Sequence, residues 1–227
     1  MTDLAGKHLL VVGATGGLGS AICRELARSG ARLTLAGRAA DRLAALTTEL
    51  GDSVVGTVDA DLADPAAPTR LAAVADEQPI DGLVLAAGVV AFGPLTELDD
   101  DDLDQLFLVN VLGPIRVIRD LLPRLASGAV VVSLSAVVAE NPTAGMAAYS
   151  ATKAALTGFD RAIALELRRA GVRVLDVRPP HTETGLATRP IAGDPPRLPT
   201  GKSPDDVARR IVQAITDDEK DLPSSGF

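Results

Sequence analysis

The feature that most constrains the fold is a regular alternation of short apolar runs, rich in Val and Leu, with segments of helical spacing. The apolar runs are continuous rather than alternating, which is typical of parallel strands covered on both faces. The pattern therefore predicts an α/β fold: a doubly wound parallel sheet of six to seven strands with helices on both faces. The predicted strands are His8–Val12, Arg32–Ala36, Val54–Val58, Gly82–Ala86, Ala129–Leu134 and Val172–Val177. The predicted helices are Gly17–Ser29, Ala39–Leu50, Pro65–Glu77, Asp101–Leu125, Ser150–Arg169 and Pro204–Thr216.

Length and composition indicate one domain over residues 1–227. A chain of 227 residues with 47% apolar residues can bury a core of ordinary size. The sequence contains no internal linker, repeat or low-complexity tract. No long apolar run precedes Phe227, so we expect the last strand of the sheet to be short or missing.

Charge and residue content exclude several function classes. The chain has 22 Lys and Arg against 30 Asp and Glu, a net charge of −8, which argues against general nucleic-acid or membrane binding. Cys23 is the only cysteine, and the two histidines, His8 and His181, lie far apart, so we expect no metal site. The sequence shows no signal segment, and its apolar stretches fall short of the ~20 residues that span a bilayer. We expect a cytoplasmic protein.

A glycine-rich turn, Gly13–Gly19, follows the first predicted strand and opens the first predicted helix. Backbone N–H groups and the helix dipole at such a turn attract an anion such as a pyrophosphate. Glycine is needed because side chains would block the anion and the close packing of helix on strand. Glycine-rich turns also occur for purely steric reasons, but the position after the first strand favours dinucleotide binding.

Tyr149 and Lys153 form the second signal. Their i, i+4 spacing places the phenol and the ammonium on one face of a helix. A nearby cation favours the phenolate, so the pKa of Tyr149 is expected to fall from about 10, which makes it a candidate general acid/base. A surface pair is the alternative, but the preceding strand ends close to Ser133 and Ser135, which favours catalysis.

Together, these motifs resemble the short-chain dehydrogenase/reductase family, and the resemblance covers nearly the whole chain. It implies a single Rossmann domain and an NAD(P)(H)-dependent oxidoreductase. Such an enzyme transfers a hydride between the nicotinamide and a small carbonyl or alcohol substrate. The residues that carry the resemblance are Gly13, Gly17, Gly19, Asn110, Ser135, Tyr149 and Lys153.

The resemblance also implies roles for individual residues. Tyr149 is the general acid/base, and Ser135 binds the substrate oxygen. Lys153 lowers the pKa of Tyr149 and binds the nicotinamide ribose, while Asn110 places a water near the lysine. The residues expected at the cofactor are Gly13, Thr15, Gly16, Gly17, Leu18, Gly19, Arg38, Asp61, Leu62, Ala87, Gly88, Tyr149, Lys153, Pro179, Thr182 and Thr184.

The sequence departs from the family pattern near the catalytic serine. Ser135 precedes Tyr149 by 14 residues, whereas the family often shows 13, and counting 13 back gives Ala136, which has no hydroxyl. We expect a loop that is one residue longer, which keeps Ser135 as the catalytic serine and leaves Ser133 as the second candidate.

Other departures motivate a rival hypothesis, a non-catalytic NAD(P)-binding regulator or scaffold of the same fold. Leu85 and Ala86 replace two asparagines of the family, and Pro180 replaces a glycine, which removes a backbone donor. The joint retention of the four catalytic residue types favours the enzyme, because a protein without turnover has no physical need for that set.

The end of the second strand favours NADP(H) over NAD(H), although NAD(H) is possible. An NAD-specific site usually has an acid there, to accept from the ribose 2′-OH. Here Gly37 and Arg38 follow the strand, and the first acid, Asp41, is expected in the next helix. The guanidinium suits a 2′-phosphate. Stacking of Arg38 on the adenine is the alternative.

Two features concern the substrate and self-association. The segment Gly185–Lys202, rich in Pro and Gly, is expected to be a mobile lid over an apolar pocket that includes Val137, Val138 and residues 143–146. By the resemblance, the predicted helices Asp101–Leu125 and Ser150–Arg169 pair with their copies in a homodimer or homotetramer. The residues offered in support of this pairing are Leu106, Val109, Ile163 and Leu167.

Overall fold

A seven-stranded sheet forms the centre of the computed structural model, which describes residues 1–227. All neighbouring strands are parallel, in the order β3-β2-β1-β4-β5-β6-β7. The strands are β1 (His8–Val12), β2 (Arg32–Gly37), β3 (Val54–Asp59), β4 (Ile80–Leu85), β5 (Leu125–Leu134), β6 (Arg173–Val177) and β7 (Asp221–Leu222).

Helices cover both faces of the sheet, as the sequence predicts. They are α1 (Gly17–Arg28), α2 (Ala40–Leu50), α3 (Ala67–Glu77), α4 (Asp100–Phe107), α5 (Gly113–Leu121), α6 (Ala147–Leu167) and α7 (Pro204–Thr216). One buried cluster contains α1, α2 and α7, and the other contains α3 to α6. The order in which strands are added reverses between β1 and β4. From β1 the chain builds outwards to β2 and β3, then returns to the other side of β1 at β4 and builds towards the opposite edge. In doubly wound folds, ligands bind in the crevice at the carboxyl ends of such strands.

The predicted helix Asp101–Leu125 is wrong as a single element. The helix changes to a π-helical turn over Leu108–Leu112 between α4 and α5. Pro114 has no N–H, so it cannot donate to the carbonyl of Asn110 as an α-helix requires. The chain then passes through a 3-10 turn, Leu122–Arg124, into β5, which begins at Leu125.

The strand β7 contains only two residues, so the expectation of a short last strand is confirmed. No helix combines the length and the apolar character that crossing a membrane requires.

The four apolar residues that the sequence analysis gives in support of self-association are buried in the core of this chain. Leu106, Val109, Ile163 and Leu167 are each at most 9% exposed and belong to the core cluster with α3 to α6. They are apolar because they pack against this chain's own sheet and helices, so they do not support a dimer. The exposed apolar side chains of these helices are Phe107, Leu112 and Leu165, and self-association stays a prediction.

Candidate active site

A cavity of about 690 Å³ lies at the carboxyl ends of the strands, between the glycine-rich turn and Tyr149. It is lined by all the predicted cofactor residues except Gly19, and also by Ser135. Gly19 and Asn110 lie behind its wall. No group of three or more His, Cys, Asp or Glu side chains is arranged to hold a metal ion.

Close backbone packing fixes three glycines of the turn. Gly13 has a φ of +84°, and a Cβ there would lie 2.5 Å from the backbone nitrogen of Ala87. A Cβ on Gly17 would lie 2.4 Å from the carbonyl oxygen of Thr184, and one on Gly19 would lie 2.1 Å from that of Gly13. The chain's own packing therefore requires these glycines, so their presence alone does not establish a cofactor.

The N-terminus of α1 adds the observation that points to an anion. Gly16 is the N-cap residue, no side chain caps the helix, and its first turn contains no acidic residue. Gly16, Gly17 and Leu18 line the cavity. The N–H of Gly16 donates to the carbonyl oxygen of Gly13 at 3.0 Å. The N–H groups of Gly17 and Leu18 and the positive end of the helix dipole face a space with no side chain to neutralise them, which fits a pyrophosphate.

Tyr149 and Lys153 lie in the first two turns of α6, both buried, with the Lys153 Nζ 5.7 Å from the centre of the tyrosine ring. Lys153 donates to the carbonyl oxygen of Leu134 at 2.9 Å. Burial raises the pKa of Tyr149, whereas its spacing from Lys153 in the sequence predicts that the lysine lowers it. That expectation is not met because desolvation dominates. The phenol is therefore neutral at pH 7 and able to donate a proton.

The Lys153 ammonium is also affected by burial. Desolvation lowers its pKa to about 8, against the attraction of the carboxyl groups of Asp176 and Asp160. The charge of this lysine thus depends on two acids of the protein interior, neither of which is among the site residues predicted from the sequence.

Asn110 lies in the π-helical turn and is almost completely buried. Its Oδ1 accepts from the N–H of Val89 and its Nδ2 donates to the carbonyl oxygen of Val89, both at 2.9 Å. Its Nδ2 also lies 3.2 Å from the Thr152 hydroxyl. The side chain therefore fixes the segment after β4 against α6. A Cβ on Gly88 would lie 3.3 Å from the Asn110 Oδ1 and 3.5 Å from the Lys153 Nζ, so even a methyl group would pack tightly against Asn110.

The two candidate serines both hydrogen-bond to buried acids. The Ser135 hydroxyl donates to Asp176 at 2.5 Å, with the carbonyl oxygen of Val177 at 3.1 Å, and the Ser133 hydroxyl donates to Asp160 at 2.9 Å. Ser135 lines the cavity, but in this arrangement its proton is not free for a substrate oxygen. Its predicted contact with substrate requires the hydroxyl to rotate away from Asp176, so that role stays a prediction.

Arg178 forms ion pairs with three carboxylates, one of which, Asp176, accepts the hydrogen bond from Ser135. This arginine is 3% exposed and forms ion pairs with Asp176, with Glu140 at 2.5 Å and with Asp221 at 2.7 Å. Sequence reasoning missed this group. The available signal was Asp176 itself, an acidic residue between Leu175 and Val177 at the end of a predicted buried strand.

Two arginines line the other end of the cavity. Arg38, predicted from the sequence, lies 3.6 Å from the Asp61 carboxylate and is 57% exposed. Arg42, in the first turns of α2, also lines the cavity and was not singled out from the sequence. Its i, i+4 spacing from Arg38 was the available signal. Asp41 lies in the first turn of α2, as expected, and does not line the cavity.

The lid segment, Gly185–Lys202, contains no helix or strand and is attached at two places. Ile191 donates to the carbonyl oxygen of Val90 at 2.9 Å, and Phe92 donates to that of Ala192 at 3.0 Å. Near its end, the N–H of Gly201 donates to the Glu183 carboxylate at 2.7 Å. The lid side chains that line the cavity are Leu186, Ala187, Arg189, Pro196, Leu198 and Pro199.

The sequence profile described as short chain dehydrogenase matches residues 7–192. The chain belongs to the short-chain dehydrogenase/reductase family. It is 34% identical over 194 residues to a short chain dehydrogenase of Pseudocercospora fijiensis, a match that covers 81% of this chain and 62% of that protein. The chain thus spans less than two thirds of this relative.

Solved structures of the family share the fold. A short-chain dehydrogenase from Sphingobium yanoikuyae in complex with NADPH is 27% identical, with a TM-score of 0.87, over 96% of this chain and 87% of that one. A short-chain dehydrogenase/reductase from Burkholderia phymatum in complex with NAD is 26% identical, with a TM-score of 0.85, over 99% of this chain and 90% of that one. The Rossmann-type sheet predicted from the sequence is therefore confirmed.

Proposed function

We propose that this short-chain dehydrogenase/reductase catalyses the NADP(H)-dependent reduction of a small apolar carbonyl compound. The observation that carries the proposal is one cavity that joins the uncapped N-terminus of α1 to the buried pair Tyr149 and Lys153. The fold-sharing relatives in complex with NADPH and NAD support the choice of cofactor class.

Named residues fit the cofactor. Gly16, Gly17 and Leu18 would hold the pyrophosphate, and Lys153 and Thr184 would hold the nicotinamide half. When bound, the nicotinamide supplies or accepts the hydride.

The protein's part of the reaction is to orient the substrate and supply a proton. Burial keeps the Tyr149 phenol neutral, so it donates its proton to the substrate oxygen during reduction. The Lys153 ammonium stabilises the phenolate that remains and then returns a proton to it. Ser135 orients the substrate oxygen once its hydroxyl has turned from Asp176.

The cofactor preference follows from the charges at the far end of the cavity. Arg38 and Arg42 provide two cations where a 2′-phosphate would lie, and no carboxylate occupies the end of β2. Asp61, 3.6 Å from Arg38, is the nearest acid to that arginine and partly offsets its charge. The arginines favour NADP(H) through charge-assisted hydrogen bonds.

The substrate end of the cavity favours an uncharged, apolar carbonyl compound. Val137, Val138 and Met146 line it, together with apolar side chains of the lid. Thr143 and His181 are among the few polar groups there.

The proposal is tested by following NADPH absorbance with a panel of aliphatic and aromatic aldehydes and ketones. We expect turnover with apolar ketones or aldehydes, together with NADPH binding measured by calorimetry. Tight NADPH binding without turnover on any member of the panel would instead favour the non-catalytic regulator. Absence of binding would contradict both hypotheses.

A further inference from the structure

The lid segment brings one permanent charge to the active-site cavity, the guanidinium of Arg189. The other lid residues that line the cavity are apolar. Charged side chains from the rest of the fold also line it, namely Arg38, Arg42, Asp61 and Lys153. Arg189 is therefore the one cation that reaches the cavity from a loop rather than from the sheet and its helices.

The guanidinium of Arg189 lies over Gly185, at the start of the lid. Its Nε donates to the carbonyl oxygen of Gly185 at 3.0 Å. Gly185 has a φ of +71°, and a Cβ there would lie 3.7 Å from the Arg189 Nη2. The backbone N–H of Arg189 also donates to the carbonyl oxygen of Leu186 at 3.1 Å. Residues 185–189 thus form one closed turn with the guanidinium on it.

This turn is connected to the glycine-rich turn by direct packing. Thr184, which precedes the lid, lies against the first turn of α1: a Cβ on Gly17 would lie 2.4 Å from the carbonyl oxygen of Thr184 and 2.7 Å from its Cβ. Thr184 and Gly17 both line the cavity. A short series of contacts therefore leads from the N-terminus of α1 through Thr184 and Gly185 to the guanidinium of Arg189.

Arg189 has hydrogen-bonding capacity that the protein does not use. Only its Nε donates to another group of the chain, and Arg189 forms no ion pair. The carboxylate of Glu183 is bound instead to the N–H of Gly201 at 2.7 Å and lies 3.6 Å from His181. The two terminal nitrogens of a guanidinium form a planar fork whose N–H groups match the oxygens of a phosphate.

The part of the cavity beside α1 is where such a cation is needed. A pyrophosphate carries negative charge on both of its phosphates, whereas the N-terminus of a helix supplies only partial positive charge. Arg38 and Arg42 are assigned to the 2′-phosphate at the far end, and the buried Lys153 ammonium donates to the carbonyl oxygen of Leu134. Of the cations that line the cavity, Arg189 is the one that remains for the pyrophosphate.

We propose that Arg189 is the residue by which the lid binds the pyrophosphate of the cofactor, and that this contact fixes the lid's apolar wall for the substrate. Leu186 and Ala187 lie within the turn that Arg189 closes, line the cavity and pack against the core. A cofactor phosphate bound by Arg189 therefore holds these two side chains in place as well. The inference rests on the proposed function, because it concerns the same cofactor cavity.

The first test is binding measured by calorimetry, which needs no turnover. Arg189→Gln keeps a polar side chain but removes the charge and the fork, so we expect the dissociation constant of NADPH to rise by about tenfold. NADH and 2′-phospho-ADP-ribose, which also contain the pyrophosphate, should be weakened by the same factor. Adenosine 2′-monophosphate, which has no pyrophosphate, should bind the wild type and the variant equally. An unchanged dissociation constant for NADPH would overturn the proposal.

Two further variants serve as controls. Arg197→Gln removes another charge of the lid, from a side chain that does not line the cavity, and should leave every dissociation constant unchanged. Arg38→Ala should show a different pattern, with weaker binding of NADPH and adenosine 2′-monophosphate but not of NADH. Equal losses in Arg189→Gln and Arg197→Gln would show only a general attraction of the cofactor to the charge of the lid, and the proposal would be wrong.

The second test follows the lid by hydrogen exchange. In the wild type and in Arg197→Gln, NADP should protect the amides of residues 185–189. In Arg189→Gln these amides should stay less protected, even at NADP concentrations that saturate the variant, because the lid has lost its contact with the cofactor. The same protection in all three proteins would contradict the link between the pyrophosphate and the lid.

The outcomes separate this proposal from the proposed function. A wild type that binds NADPH but reduces no carbonyl compound refutes the proposed function, and the binding pattern still decides the role of Arg189. An active wild type whose affinity for NADPH is the same as that of Arg189→Gln refutes the role of Arg189 alone. If the variant raises only the KM of ketones that bear a carboxylate, the guanidinium binds substrate rather than cofactor, and the proposal fails.

Discussion

The two ends of the active-site cavity are built in different ways. At the cofactor end, backbone atoms pack so closely that Gly13, Gly17 and Gly19 have no space for a Cβ. At the substrate end, the lid segment Gly185–Lys202 is held by a few hydrogen bonds and has no regular secondary structure. The cofactor end is therefore determined by the packing of the fold, whereas the substrate end depends on individual loop side chains and is free to differ between relatives.

The largest expected effect lies where the two ends meet. Tyr149→Phe removes the proton donor but keeps the ring in its buried position, so we expect kcat to fall by about 10²–10⁴-fold. The dissociation constant of NADPH and the Tm should change little, because the cofactor end stays intact. Wild-type kcat in this variant would refute the mechanism.

The next largest effect concerns the arginines of the cofactor end. Losing a charge-assisted hydrogen bond costs about 1.5–3 kcal/mol, so Arg38→Ala should weaken NADPH binding by about 10- to 100-fold and leave NADH binding nearly unchanged. Arg42→Ala, measured in parallel, shows whether the second arginine shares the 2′-phosphate. Values of kcat/KM with both cofactors decide the question, and a wild type that prefers NADH would overturn the assignment.

A smaller effect is expected at the serines. Because the Ser135 hydroxyl is shared with Asp176, Ser135→Ala should lower kcat by about tenfold, less than the ~10²–10³ typical of a dedicated oxyanion donor. Ser133→Ala, which contacts only Asp160, should be milder at pH 7. A larger loss of kcat in Ser133→Ala than in Ser135→Ala would contradict the assignment of Ser135 as the catalytic serine, and with it the loop before Tyr149 that is one residue longer. An increase in activity of Ala136→Ser would identify residue 136 as the position facing the substrate.

The smallest expected effect is a change in amide exchange of the lid, and it tests the substrate end directly. Between its attachments at residues 191–192 and 201–202, the lid makes few backbone hydrogen bonds. We expect amides of residues 194–200 to exchange quickly in the free protein and to be protected when NADP and a substrate analogue are added. Glu183→Gln, which weakens the contact with Gly201, should increase exchange near residue 201 alone. Equal, slow exchange throughout the free lid would contradict a mobile segment.

The sequence predicts the strands and the residues that line the cavity near the glycine-rich turn well, because their determinants are local. Continuous apolar runs identify the strands, and the glycine-rich turn and the spacing of Tyr149 and Lys153 depend on residues that are neighbours in sequence. The π-helical turn between α4 and α5 was missed because the effect of Pro114 falls four residues earlier, on the carbonyl of Asn110.

The sequence predicts the electrostatics poorly because these depend on contacts between distant segments. The carboxyl group of Asp176, on β6, acts on the pKa of Lys153 only after β6 has packed against α6. For the same reason, the expected fall in the pKa of Tyr149 was wrong in direction. Spacing along a helix shows that a cation is near, but it does not show how completely the fold removes water from the phenol.

The attachment at Gly193 has a consequence for protein engineering. Gly193 has a φ of +68°, and a Cβ there would lie 1.9 Å from the carbonyl oxygen of Phe92, so the chain cannot shift by one residue at this point. The register of the lid is therefore locked on one side by Gly193 and on the other by the pairing of Lys202 with the backbone of His181 and Glu183. Residues 194–200 are consequently the part of the lid that can be replaced by loops of other lengths and compositions. We expect such replacements to change substrate selectivity while the rest of the fold stays as it is.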